Sequence, residues 1–176
     1  MKPQKILIKA LALFIVAIAI AVPVLAQGVP DVRTTDQVLT GAALTRVVPT
    51  SFYFEGQAAP TQMRNSAAAR INGRLVIAGM VDTSGDSAEI KAHYQGFFIT
   101  DSAITVGGES LPTGAYGFGF TNDGKFNIFD VGNTQVLSVA TTNDKSLKRP
   151  RPLMMAMDGR NVRLYAGRDY VVIAVK

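Results

Sequence analysis

The sequence has no cysteine and a single histidine, His93. Without cysteine there is no disulfide, no thiolate nucleophile and no cysteine-bound metal. One histidine cannot by itself supply the nitrogen and sulfur ligands of a usual zinc site. A Ser-His-Asp triad would have to use His93, because a hydroxyl nucleophile needs a base of near-neutral pKa. The G-x-S-x-G elbow is also missing, since Thr83-Ser84-Gly85 lacks the first glycine. A histidine beside Tyr94 in an apolar segment reads first as a surface or hydrogen-bonded core residue. Helical patterning is scarce too. From Gln27 onward no segment repeats an apolar i, i+3, i+4, i+7 spacing over the length of an ordinary helix.

The first 26 residues differ from the rest. Met1 to Lys9 hold three lysines and no acid, Ala10 to Val22 are 13 uninterrupted apolar residues, and Pro23 ends the run before Val24-Leu25-Ala26. Charged, apolar and small-residue zones in that order form a secretory signal peptide. Val24 and Ala26 suit the −3 and −1 positions, which places the cut between Ala26 and Gln27. An uncleaved anchor is the rival, but a spanning helix needs about 20 apolar residues. Losing the leader removes three of the 18 basic residues and none of the 13 acidic ones, so the formal charge falls from +5 to +2. Near-neutral charge and export both argue against a nucleic-acid partner. The expected product is an exported domain of 150 residues, periplasmic or extracellular, with no stable membrane span after cleavage.

What remains has a period close to two. Gln27 to Thr45 are weakly patterned and read as an arm or linker, in which Thr35 could cap a short helix over Asp36 to Leu39. The β domain is expected from Arg46 to Lys176. Ala67 to Ile71, Asn72-Gly73 and Leu75 to Val81 read as a hairpin, since Asn-Gly tolerates the two positive φ angles of a type I′ turn. Asp82 to Ser87 reads as a loop, and Ile90 to Thr100 as the next strand. Tyr116, Phe118 and Phe120 alternate with Gly117, Gly119 and Thr121, so three rings share one face. Thr142 to Pro152 reads as a basic loop, because Pro150 and Pro152 oppose helix and central strand. About nine or ten strands at short intervals predict one all-β domain, an antiparallel sandwich somewhat ahead of a small barrel.

The segment ITVGGESLPTGAYGFGF, Ile104 to Phe120, resembles a turn pattern of small secreted bacterial β proteins of unknown function, V-x-G-x-x-L-P-x-G-x-Y. The resemblance covers about 17 residues and implies a secreted β fold without a catalytic residue. Physically, Leu111 should plug the core, Pro112 fix φ, and Gly114 permit a turn before Tyr116.

Several residue groups are candidates for chemistry. Asp82 to Glu89 is the densest oxygen cluster, yet its spacing is not that of an EF loop, and turn preference explains it as well as calcium. Glu55, Asp101, Asp130 and Asp169 lie near strand ends, and a glycosidase-like pair cannot be chosen among them from sequence. Lys145, Lys148, Arg149 and Arg151 form the only basic run: a contact for an anionic partner, or a solvated loop that protects an edge from aggregation. Gln57 to Gln62 has no large apolar residue and reads as a long loop leading to Arg64 and Asn65. Tyr116, Phe118 and Phe120 are either core or the wall of a small apolar pocket.

No catalytic constellation, metal or cofactor is therefore expected. The first functional expectation is a non-enzymatic binding or structural module that meets an envelope surface or protein partner through loops, with Arg64, Asn65, Lys148, Arg149 and Arg151 as candidate contacts. A carrier with an apolar pocket inside a barrel is the second, and a carboxylate-based hydrolase the third. A barrel cavity above about 300 Å³ would favour the carrier.

Overall fold

The computed structural model describes residues 35–85 and 93–176. The leader, its cut after Ala26 and the acidic residues Asp86 and Glu89 lie outside the described residues. The described chain is a sandwich of two antiparallel sheets with one short helix. Its elements are β1 (Gln37–Val38), α1 (Gly41–Val47), β2 (Ser51–Phe54), β3 (Gln57–Ile71), β4 (Arg74–Val81), β5 (Gly96–Thr100), β6 (Ile104–Val106), β7 (Glu109–Leu111), β8 (Gly114–Phe120), β9 (Lys125–Phe129), β10 (Gln135–Ala140), β11 (Thr142–Asn143), β12 (Arg151–Asp158), β13 (Asn161–Gly167) and β14 (Asp169–Val175). The first sheet runs β1-β3-β4-β5-β8-β9-β10, with β2 also paired to β3. The second runs β12-β13-β14-β6-β7, with β11 paired to β14. The described residues thus hold 14 strands rather than nine or ten, and the surplus is in pieces two or three residues long.

Alternation decides what each sheet buries. Ala67, Ala69 and Ile71 of β3, Phe98 of β5, Tyr116 and Phe118 of β8, and Phe126 and Ile128 of β9 face inward. They meet Ile104, Leu153, Met155, Val162, Leu164, Val171 and Ile173 of the second sheet. Each fully buried large apolar side chain contributes about 1.5–3 kcal/mol, so this layer is the main source of stability. A second apolar cluster lies on the outward face of the first sheet. There Ala68, Ile77, Phe97 and Phe129 are covered by Leu39, Val48, Phe52 and Phe54. Phe52 stacks on Phe97 at 5.1 Å and Phe54 on Tyr94 at 4.0 Å.

Two glycines exist to admit these rings. Gly79, Phe97 and Gly117 lie opposite one another across β4, β5 and β8. A Cβ on Gly79 would stand 2.5 Å from the Phe97 ring, and one on Gly117 would stand 2.0 Å from the Tyr94 ring. The bare face of β8 is thus a seat for aromatic side chains.

The Asn72-Gly73 hairpin has positive φ at both residues, 50° and 75°, as a two-residue I′ turn requires. Four local expectations need correction. Asp36 to Leu39 are not helical. The Asp36 carboxylate accepts the Asn72 N–H at 2.6 Å and the Leu39 N–H bonds to the Ala68 carbonyl, so pairing with β3 overrides the local cap signal. Gln57 to Gln62 are strand rather than loop, because β2 pairs with Gln57–Pro60 and supplies the partners that the polar side chains could not predict. The strand expected from Ile90 starts at Gly96; Tyr94 precedes it and turns its ring over Gly117, while Ile90 itself is not described. The basic segment is strand at both ends, with Thr142–Asn143 in β11 and Arg151 and Pro152 opening the edge strand β12, where a proline costs no ladder bond.

The turn motif works differently from expectation in one respect. Leu111 is buried as expected. The positive φ values fall at Gly107 and Gly108, not at Gly114. Gly114 is needed because Tyr116 folds back over it, where a Cβ would meet the phenol oxygen at 2.7 Å. The Tyr116 hydroxyl then donates to the Pro112 carbonyl at 3.0 Å and locks the corner.

Candidate functional site

Two irregular strands build the most distinctive cleft. In β3 the ladder to β4 breaks between Thr61 and Ser66. A bulge leaves residues without ladder partners, and local side chains must satisfy them. Gln62 Nε2 donates to the Val81 carbonyl at 3.0 Å, Asn65 Nδ2 donates to Gln62 Oε1 at 2.8 Å, and Ser66 Oγ donates to the Gln62 carbonyl at 3.2 Å. Gln62 and Asn65 are thereby occupied in holding the bulge, and Arg64 projects from it, exposed. In β12 the ladder to β13 also shifts, between Arg151 and Met154, around Pro152. Arg151 stands exposed at that second irregularity.

The two arginines line one cleft of about 320 Å³. Its other walls come from Val38, Leu39, Thr40, Gly41 and Leu44 on one side, Ser66 and Ala67 below, and Leu153, Met154 and Met155 on the other. Leu39, Leu153 and Met155 are buried, so the floor is firm and apolar. Neither guanidinium has a hydrogen bond or ion pair among the described residues, where Lys125–Asp123 and Arg163–Asp158 are the ion pairs found. Two planar cations that have no partner among the described residues and line a cleft with an apolar floor offer forked donors to an anion and apolar contact to whatever carries it.

The remaining sequence candidates lie elsewhere. Lys148 and Arg149 are exposed on the loop between β11 and β12 and do not line the cleft. Asn65 is half-buried and committed to Gln62. Tyr116 and Phe118 are buried between the sheets; Phe120 packs beside them, 4.7 Å from Phe126. Burial pushes the Tyr116 phenol above its ordinary pKa. Of Glu55, Asp101, Asp130 and Asp169, the last three are taken by structural bonds. Asp101 accepts from the Leu75 N–H, Asp130 from the Gly132 and Thr134 N–H groups, and Asp169 from Asn143 Nδ2. His93 is half-buried, 5.1 Å from the Phe129 ring, with its Nδ1 unbonded. Among the described residues no group of three or more histidines and acids stands close enough to hold a metal ion. None of the described helices is long and apolar enough to cross a membrane.

A smaller cleft of about 280 Å³ opens beside β2 and β3, lined by Phe54, Gln57, Ala58, Ala59, Pro60, Asp82, Ser84 and Gly85. None of the described residues lining it is a cation. Beside Phe54, which stacks on Tyr94, burial pushes the Tyr94 phenol up to about 12, with Glu55 and Asp130 adding to the shift. Its hydroxyl donates to the Asp130 carbonyl at 3.0 Å, so it works as a structural donor.

The sequence points to Arg64 and Arg151 separately and holds no sign that they line one cleft. Nor does it mark Leu39, Leu44, Leu153 and Met154 as walls. No family model, no curated protein and no solved structure matches this chain, so the cleft has to be read from its own residues.

Proposed function

We propose that the protein is an exported, non-enzymatic binding module whose recognition site is the Arg64–Arg151 cleft and whose partner is anionic. One observation carries this reading: Arg64 and Arg151, neither with an ion pair or side-chain hydrogen bond among the described residues, line a single cleft with a largely apolar wall. A barrel carrier finds less support, because the space between the sheets is filled by Phe98, Phe118, Phe126 and the aliphatic residues facing them. A carboxylate hydrolase also finds less support, because Asp101, Asp130 and Asp169 are held in turn and strand-end hydrogen bonds. Export rests on the three-zone leader and the Val24–Ala26 cleavage signal.

Two measurements test it. N-terminal sequencing of the protein from its native cells should begin at Gln27; an intact Met1 would remove the export half. Thermal melting against a panel of anions (phosphate, carboxylates, polyglutamate, anionic vesicles) should show at least one class that raises the midpoint, since a ligand of the native state must do so. The rise should vanish in the Arg64→Ala, Arg151→Ala double variant. A panel without any stabilising anion would remove the binding half.

A further inference from the structure

Resting on that reading of the cleft, we infer the class of its ligand: a carboxylate borne on a compact apolar body, such as a medium-chain fatty acid or an aryl-alkanoate. The volume, about 320 Å³, is near the lower end of the ~300–1,000 Å³ range of small-molecule sites, so one compact body fills it and a whole phospholipid does not. The walls select against a bare inorganic anion. Val38, Leu44 and Met154 offer no donors, and the Ser66 hydroxyl already donates to the Gln62 carbonyl. That leaves the exposed Thr40 hydroxyl, not engaged in capping α1, as the polar side chain there besides the arginines. A hydrated phosphate would lose water there and recover few hydrogen bonds. An apolar body instead covers those side chains, and the unbranched methionines adapt to its shape. The planar fork of a guanidinium matches the two oxygens of a carboxylate. Charge complementarity therefore fixes the head at Arg64 and Arg151, and burial of the half-exposed Val38, Leu44 and Met154 fixes the tail.

Octanoate, octanol, inorganic phosphate and phosphatidylglycerol vesicles are the probes, read by titration calorimetry and by methionine-methyl NMR of the purified protein. Octanoate should bind and shift the Met154 and Met155 methyls. Octanol should bind about tenfold or more weakly, because it forfeits the charged hydrogen bonds. Arg64→Ala and Arg151→Ala should each weaken octanoate by a similar factor, and Arg64→Lys should fail to restore it. Both arginines are exposed, so these variants should keep the parent circular dichroism and melting point. Octanoate binding that ignores both arginines, or equals that of octanol, would overturn the inference. Arginine-dependent binding of phosphate or vesicles without octanoate binding would overturn the ligand class and leave the recognition cleft standing. Binding of none of the four would overturn the inference, and with a silent anion panel the cleft reading as well.

Discussion

On the first sheet the outward face carries Ile77, Phe97 and Phe129 and lies under Phe52 and Phe54. On the second sheet the outward face carries Arg163, Tyr165 and Tyr170, because their neighbours Val162, Leu164 and Val171 point into the core. Arg163 bonds Asp158 at 2.9 Å and lies 4.7 Å from the centre of the Tyr170 ring, while the Tyr165 hydroxyl donates to Asp144 at 3.1 Å. The two faces show how one sandwich treats its outsides. Where strands are apolar at consecutive positions, as in Phe97-Phe98, both sides must be buried and the chain supplies a lid. Where apolar and amphipathic residues alternate, the outside is held by polar contacts, with Tyr165 buried and Arg163 and Tyr170 half-exposed.

The largest expected difference between the faces comes from Phe54→Ala. Its ring is 2 % exposed and stacked on Tyr94, so its loss should cost about 3–5 kcal/mol in a denaturant titration. A cost like that of a surface change would mean that the lid is ornamental. Gly117→Ala should follow, at about 1–3 kcal/mol, because the added carbon meets a packed Tyr94 ring. Unchanged stability there would show that the ring can move aside, and the aromatic seat would not be a rigid one. Val172→Ala, on the outward side of β14, should cost about 1 kcal/mol or less. If Val172 proved as sensitive as Phe54, the contrast between the faces would collapse.

The smallest effect should be pH-dependent. The Asp144 carboxyl is held below the usual carboxylate range, first by the Ser146 hydroxyl and also by Tyr165, against an opposing effect of burial. A depressed acid stabilises the fold above its unfolded pKa, about 3.9, and loses that contribution as pH falls through the lower folded value. Tyr165→Phe removes one donor to Asp144. The stability gap between parent and variant should therefore be widest above about pH 4 and narrow on further acidification. A gap that widens toward acid would assign the Tyr165 hydroxyl a role apart from Asp144.

Much of the architecture was legible because it is local. Asn72-Gly73 specifies its own turn, and the ring row of β8 specifies which face is buried. The strand character of Gln57–Pro60 was illegible because it is conferred by β2, and the β1 pairing because it depends on Asn72 and Ala68 far along the chain. The cleft failed to show for the same reason. Arg64 and Arg151 stand in different sheets, and no periodicity in either segment refers to the other. Gly114 was legible as necessary and illegible in its reason, since a sequence records the missing side chain but not the ring that takes its room.

β3 has 15 residues, the first few bonded to β2 and the last to β1 and β4. A single backbone thus belongs to both hydrophobic layers. Heating or denaturant cannot melt the outer layer as a separate event without pulling on the inner one. Amide exchange in Phe52 and in Ile77 should report one shared opening free energy, as parts of a single folding unit.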